Sequence, residues 1–426
     1  MFGQAFKWML LTLAVMLLIA AGCFYAWERE GSRVEQAVAV LTAPAPTSTP
    51  VPTPTPEPTA SPTPAPTPVP EGYEEMIRTE ELLRTLTIEE KIGQLLMFGL
   101  DGKDAPSEEF LSVVEKYRVG NAILLGVNIS TTDADGGFAR ASSLCGQIAP
   151  LNARGIPFLI SIDVEGGNVV RFRWDPWLAS QKALGDADDP EDAKARFRAI
   201  AEKLIANGMN YDLAPVADMA PDPMKSFLTT RIISGDPDVT VRIAGAIIEG
   251  LHEGGCMTCA KHFPGHGGTE GDSHQVTPTI RKTKEELEAY DLIAFRGAMD
   301  AGVDSVMVAH ILYPELDPEN VATVSPAILT GLLRGEMGYD GIVISDDFRM
   351  KGISTKMSGG EAALRFLLAG GDIVLCGPDA ERQEDICRTL IAAAKDGTLS
   401  EERIDESLRR VLHAKSLYCD WSGYRG

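Results

Sequence analysis

The 426-residue sequence predicts an α/β fold, a (β/α)8 TIM-type barrel in one domain, preceded by an N-terminal hydrophobic segment and a Pro-rich linker. Three observations predict it. Eight short apolar, β-rich runs alternate with amphipathic stretches from residue 80 onward. Acidic and basic residues close several of these runs, where a barrel carries its loops. Twelve of the 27 prolines fall in residues 43–70, ahead of the alternation, so the chain is not built evenly from end to end. With 44% hydrophobic residues it can still fill a core.

The elements follow in order. Residues 8–27, WMLLTLAVMLLIAAGCFYAW, carry no charge and follow Lys7. About 20 such residues span a bilayer core. Residues 1–27 are therefore expected to anchor or export the chain. A retained helix, a cleaved signal and a lipidated Cys23 all stay open. Leu18 to Cys23 resembles a bacterial lipobox, but Ala20 stands where Leu is usual and apolar residues continue to Trp27. Residues 28–71 read as a Pro/Thr-rich linker. Its proline tract favours extended polyproline II, and 28 residues at about 3.1 Å each reach roughly 85 Å. A spacer between membrane and domain is the expected role. A ligand for a proline-binding module is the other reading.

Residues 72–426 form the predicted barrel. Its apolar runs are Ile92–Leu100, Val119–Gly126, Pro157–Glu165, Asn210–Met219, Cys256–Gly265, Asp304–Tyr313, Gly341–Phe348 and Asp372–Gly377. Near-continuous Val, Ile and Leu suits strands buried on both faces of a parallel sheet. Helices are expected between them, clearest at Pro237–Glu253 and Thr283–Ala301, and a last one near Ser400–Leu417. Capping boxes open two of them, Thr87 with Glu90 and Thr283 with Glu286. A doubly wound sheet is the runner-up fold. There is no G-x-G-x-x-G and no P-loop, which disfavours nucleotide cofactors.

Charge narrows the partners. The formal net charge is -22, and the first seventy residues contribute only -1 of it. So acidic a domain repels phosphate backbones, and no nucleic-acid partner is expected. Seven scattered cysteines make no disulfide framework. Cys256 and Cys259 have C-x-x-C spacing without a second pair, and read as apolar strand residues.

The most informative stretch runs from Lys261 to His274. It holds His262, His266 and His274 among four glycines and Pro264, with Asp272 beside His274. A metal site would want ligands on a rigid element, so no metal is expected. Acid/base chemistry is the alternative, because a turn can pair Asp272 with His274 and the carboxylate then orients the ring. Gly341–Met350 ends a buried strand in Asp346 and Asp347. Neighbouring strand residues face opposite ways, so only one is expected to enter the barrel mouth. A carboxylate there could attack an anomeric carbon. Asp347 is expected to make a structural hydrogen bond.

Lys-His-Phe-Pro-Gly-His-Gly from Lys261, followed by Thr269 and by Asp272-Ser273-His274, resembles the signature of glycoside hydrolase family 3. Within it, the chain is similar to the single-domain β-N-acetylhexosaminidase branch. The resemblance implies a two-step retaining mechanism without a cofactor. Asp346 would be the nucleophile, His274 the acid/base and Asp272 its orienting partner. A neutral base in place of a carboxylate does not repel an anionic nucleophile. Asp163, Arg171, Arg231, Lys261 and His262 match sugar-binding positions. Gly268, Thr230 and Asn168 depart from the family pattern, at positions that bear on fine specificity. The resemblance thus implies an exo-acting β-N-acetylglucosaminidase on a carbohydrate partner, expected as a monomer, and the N-terminal segment and proline tract place it outside the cell, held at the membrane. Another activity of the family, a β-glucosidase or a phosphorylase, is the nearest alternative. A non-catalytic wall-glycan-binding protein is another.

Overall fold

The computed structural model describes residues 73–129, 134–151, 153–172, 178–268 and 277–424. The N-terminal segment with Cys23, the linker, and the pair Asp272 and His274 lie outside the described residues. Each of the eight apolar runs contains a strand. These are β1 Leu96–Gly99, β2 Asn121–Ile123, β3 Leu159–Ile162, β4 Tyr211–Asp212, β5 Cys259–Phe263, β6 Ser305–Val308, β7 Ile342–Ser345 and β8 Val374–Cys376.

Every strand pairing is parallel. One sheet runs β4-β3-β2-β1-β8 and the other β5-β6-β7. Single bridges Tyr211↔Met257 and Val216↔Lys261 link the β4 side to the β5 side, and Ile344↔Ile373 links β7 toward β8. Followed round, neighbours keep sequence order, which is consistent with a TIM-like barrel. The strands are shorter than the runs that contain them. Beyond β4 single hydrogen bonds continue the pairing: Leu213 N–H donates to the Ile162 carbonyl, and the Ala214 and Pro215 carbonyls accept from Cys259 and Lys261 N–H.

The strands are buried along their whole length. Leu96, Met97 and Phe98 of β1 are inaccessible to solvent, as are Val343 and Ile344 of β7. Each such apolar side chain contributes roughly 1.5–3 kcal/mol by burial. Cys256 and Cys259 are also buried, and burial raises the Cys259 thiol to about 11, so it stays an uncharged core group.

Caps set where the helices begin. Thr87 and Thr283 both form the predicted reciprocal box with Glu90 and Glu286. Ser107, Ser180, Ser358 and Ser400 each accept a backbone N–H at a helix start. The Pro237–Glu253 helix forms as expected. The expected helix Thr283–Ala301 is instead two, Lys284–Glu288 and Asp291–Asp300. Tyr290 breaks it at φ -144°, ψ -72°, where its hydroxyl donates to the Gly235 carbonyl at 2.9 Å. The buried Asp291 carboxylate faces Lys282.

The last helix, Glu401–Tyr418, packs on the segment that leads into β1. Lys91 reaches Glu401 and Asp405, each at 2.7 Å. From the other side Lys415, fully buried, donates to Gln94 Oε1 at 2.7 Å and to the Gly120 carbonyl at 2.9 Å. Among the described residues no helix is long and apolar enough to cross a membrane.

Candidate active site

The site lies at the C-terminal ends of the strands. After β3 the chain runs Asp163-Val164-Glu165-Gly166-Gly167 and turns on itself. Glu165 N–H donates to the Val169 carbonyl at 2.8 Å. Gly166 has φ +91°, and a side chain there would press into the Ala179 carbonyl, so only glycine fits. The turn brings Arg171 back onto Asp163, where Nη2 donates to Oδ2 at 2.6 Å.

Lys261 and His262 are neighbours on β5, and both face the same cavity. Strict alternation would send them to opposite sides. The register between β5 and β6 shifts between Lys261 and Phe263, and that irregularity re-aims one side chain. Lys261 Nζ contacts Asp163 at 2.7 Å and Glu165 at 2.6 Å. Arg231 grips Glu165 with both prongs, Nε at 2.7 Å and Nη2 at 2.8 Å. Its Nη2 is also 3.3 Å from His262 Nε2.

These contacts decide the charges. Burial alone would raise Glu165, but Arg231 and Lys261 hold its carboxyl down at about 2. Asp163, also buried, is driven well below the usual carboxylate range by Lys261 and Arg171. Burial works against the Lys261 ammonium, yet the two carboxylates keep it protonated. The set is a rigid lattice of formal charges at neutral pH. Asp212 lies at the end of β4, where burial pushes its carboxyl well above the usual range. One of its oxygens accepts from Val164 N–H at 2.8 Å.

Asp346 and Asp347 follow β7, and both line the cavity. The one-face expectation fails because β7 ends at Ser345, one residue too early for alternation to govern the pair. The two carboxylates still differ in use. Asp347 is bound by Arg349, Nη2 at 2.6 Å, and by Gly377 N–H at 3.0 Å, the structural role expected of it. Asp346 Oδ1 accepts from Asp347 N–H at 2.7 Å.

The cavity holds about 550 Å³. It gathers Asp346, Asp163, Arg171, Arg231, Lys261 and His262, six of the eight site residues expected from sequence. Asp272 and His274 are the other two. Three functional groups were not anticipated. Glu165 was legible, since it stands two residues from Asp163 in the same polar end of an apolar run. Arg349 stands two residues from its partner Asp347, whereas the buried Asp218 carries no local signal, because its partner His262 lies 44 residues on.

Fixed donors and acceptors of both charges, set in a concave mouth, match a ring of many hydroxyls better than an apolar ligand. Fold and site together define a carbohydrate-active enzyme, a glycoside hydrolase. The glycosyl hydrolase family 3 N-terminal domain matches residues 87–414, and the chain belongs to that family. It is 35% identical over 286 residues to a β-hexosaminidase of Tolumonas auensis, covering 66% of this chain and 81% of that one. To a β-hexosaminidase of Chromobacterium violaceum it is 34% identical over 320 residues, covering 73% and 86%. A solved glycoside hydrolase family 3 β-N-acetylglucosaminidase from Paenibacillus sp. superposes with a TM-score of 0.73 at 34% identity. That match covers 80% of this chain, which spans 64% of the Paenibacillus chain.

Proposed function

We propose that the chain is a retaining exo-β-N-acetylglucosaminidase that releases terminal β-linked N-acetylhexosamine from cell-wall or chitin-type glycans. The observation that carries it is the cavity itself. Asp346 shares it with Asp163, Arg171, Arg231, Lys261 and His262, in a chain whose relatives are named β-hexosaminidases. The polar set would hold the terminal sugar by charge-assisted hydrogen bonds. Asp346 would attack the anomeric carbon as the glycosidic C–O bond breaks, leaving a covalent glycosyl-enzyme. His274 would protonate the departing oxygen, then take a proton from water. That water attacks the same carbon and frees Asp346. Asp272 would orient the His274 ring.

Asp346→Ala should lower release from a chromogenic N-acetylglucosaminide by at least about a thousandfold. Full activity in that variant would overturn the assignment of the nucleophile. Turnover that requires inorganic phosphate would make the enzyme a phosphorylase instead. The eight parallel strands in sequence order support a closed (β/α)8 barrel. The uncharged segment 8–27 and the proline tract support a domain tethered outside the cell membrane, by a retained helix or by lipid on Cys23. Mass spectrometry of the mature N-terminus tests this, and a cleaved, unmodified N-terminus would refute the tether.

A further inference from the structure

We propose that Asp218 is a positioning residue that fixes His262 in one tautomer, so that the imidazole offers the sugar a hydrogen-bond acceptor instead of a donor. The inference rests on the reading of the cavity as a sugar site.

Asp218 follows the bridge residue Val216 beyond β4 and has no solvent exposure. Its Oδ2 accepts from the His262 backbone N–H at 3.1 Å and lies 2.6 Å from His262 Nδ1. Its Oδ1 accepts from the His266 backbone N–H at 2.5 Å. Two backbone N–H groups, one on each oxygen, favour the ionised form of this carboxyl. An ionised carboxylate only accepts hydrogen bonds. The hydrogen between Asp218 and the ring must therefore sit on Nδ1.

The second ring nitrogen faces the opposite constraint. Nε2 lies 3.3 Å from Arg231 Nη2, and a guanidinium has donors only. A hydrogen on Nε2 would point at a cation and make no bond there. Arg231 cannot swing aside freely, because Glu165 holds both of its prongs. Nε2 therefore keeps its lone pair. A separation of 3.3 Å is long for a hydrogen bond, so a ring hydroxyl in the cavity can compete for that lone pair at shorter range. The hydroxyl that meets His262 must donate, which leaves its oxygen lone pairs to the cations around it. Among the described residues, the hydrogen bonds that the Asp218 carboxylate makes to the cavity lining go to His262.

Two measurements on the full-length chain test this. The chain has six histidines, so 15N-histidine labelling with a His262→Gln control assigns the His262 ring. The expected spectrum shows Nδ1 protonated and Nε2 bare, and the reverse pattern would overturn the proposal. The second is a double-mutant cycle. Asp218→Asn offers the ring an N–H and should shift the hydrogen to Nε2. It should lower kcat/KM on the N-acetylglucosaminide about ten- to a hundredfold, the scale of one lost hydrogen bond to a charged or oriented group. The loss should fall mainly in KM, with the thermal midpoint within a few degrees. In a His262→Gln background the same change should cost less than about twofold. Equal losses in both backgrounds would mean that Asp218 acts structurally, and the proposal would fail. Asp218→Glu, keeping the carboxylate, should recover part of the loss. If the wild-type chain does not hydrolyse the substrate, the proposed function fails, and the ring spectrum still decides the tautomer.

Discussion

Glu165 is 1% exposed and touches two cations, Arg231 through both prongs and Lys261 at 2.6 Å. Its pairing has a sign that can be worked out. The folded carboxyl titrates at about 2, below the unfolded value of about 4.3. Its stabilisation is therefore present above pH 4–5 and is lost as pH falls through 2. Glu165→Gln should destabilise by about 3 kcal/mol at neutral pH, because it leaves two buried cations short of a charge. Urea denaturation at pH 7 and pH 3 should show that difference shrinking toward acid. A constant difference would mean that packing, not charge, is what the glutamate supplies. Single residues were legible where a short-range rule applied. Asp163, Lys261, His262 and Asp346 each sit at the end of an apolar run. Asp218 does not announce itself, since its partner His262 lies 44 residues on.

At the scale of elements, backbone irregularities place the side chains that matter. The shift in β5 turns both Lys261 and His262 into one cavity. Two of the arginine-bearing loops carry non-glycine residues in the left-handed region, Arg171 at φ +49° and Thr229 at φ +45°. A β-branched residue is rarely found there. Thr229 begins the short turn Thr229–Arg231 that delivers Arg231 to Glu165. Thr229→Gly should relieve that strain and raise stability by about 1 kcal/mol at most. It should also weaken substrate affinity, since a freer turn holds Arg231 less well. Thermal melts and KM measured on the same preparation check both halves. Helix starts at Thr87 and Thr283 could be read from local sequence because caps are local chemistry. The break at Tyr290 could not, because Gly235 supplies its partner from another loop.

For the whole molecule, the eight-strand alternation was legible because each parallel strand must be apolar on both faces. How the last helix docks beside β1 was not, since that depends on long-range pairs such as Lys415 with Gln94 and Gly120. Burial pulls the Lys415 amine down to about 7, against about 10.4 in an unfolded chain. The folded chain therefore binds fewer protons than the unfolded chain between those values, and this group makes stability rise with pH across that window. Compared with Lys415→Met, the wild-type protein should gain up to about 2 kcal/mol between pH 7 and pH 9. Parallel urea curves at the two pH values measure it, and an unchanged gap would show that the amine stays charged.

The same contacts have a consequence for biosynthesis. β1 pairs with β8, and Lys91 is answered by Glu401 and Asp405, more than three hundred residues later. A ribosome making this chain emits β1 long before its partner β8 exists. The β1–β8 pairing and the Lys91 ion pairs cannot form until residues 374–405 have left the exit tunnel. Such long-range pairing is slow to form and leaves apolar strand edges exposed meanwhile. Cellular yield of the protein should therefore depend on what shields β1 during translation as much as on the stability of the finished fold.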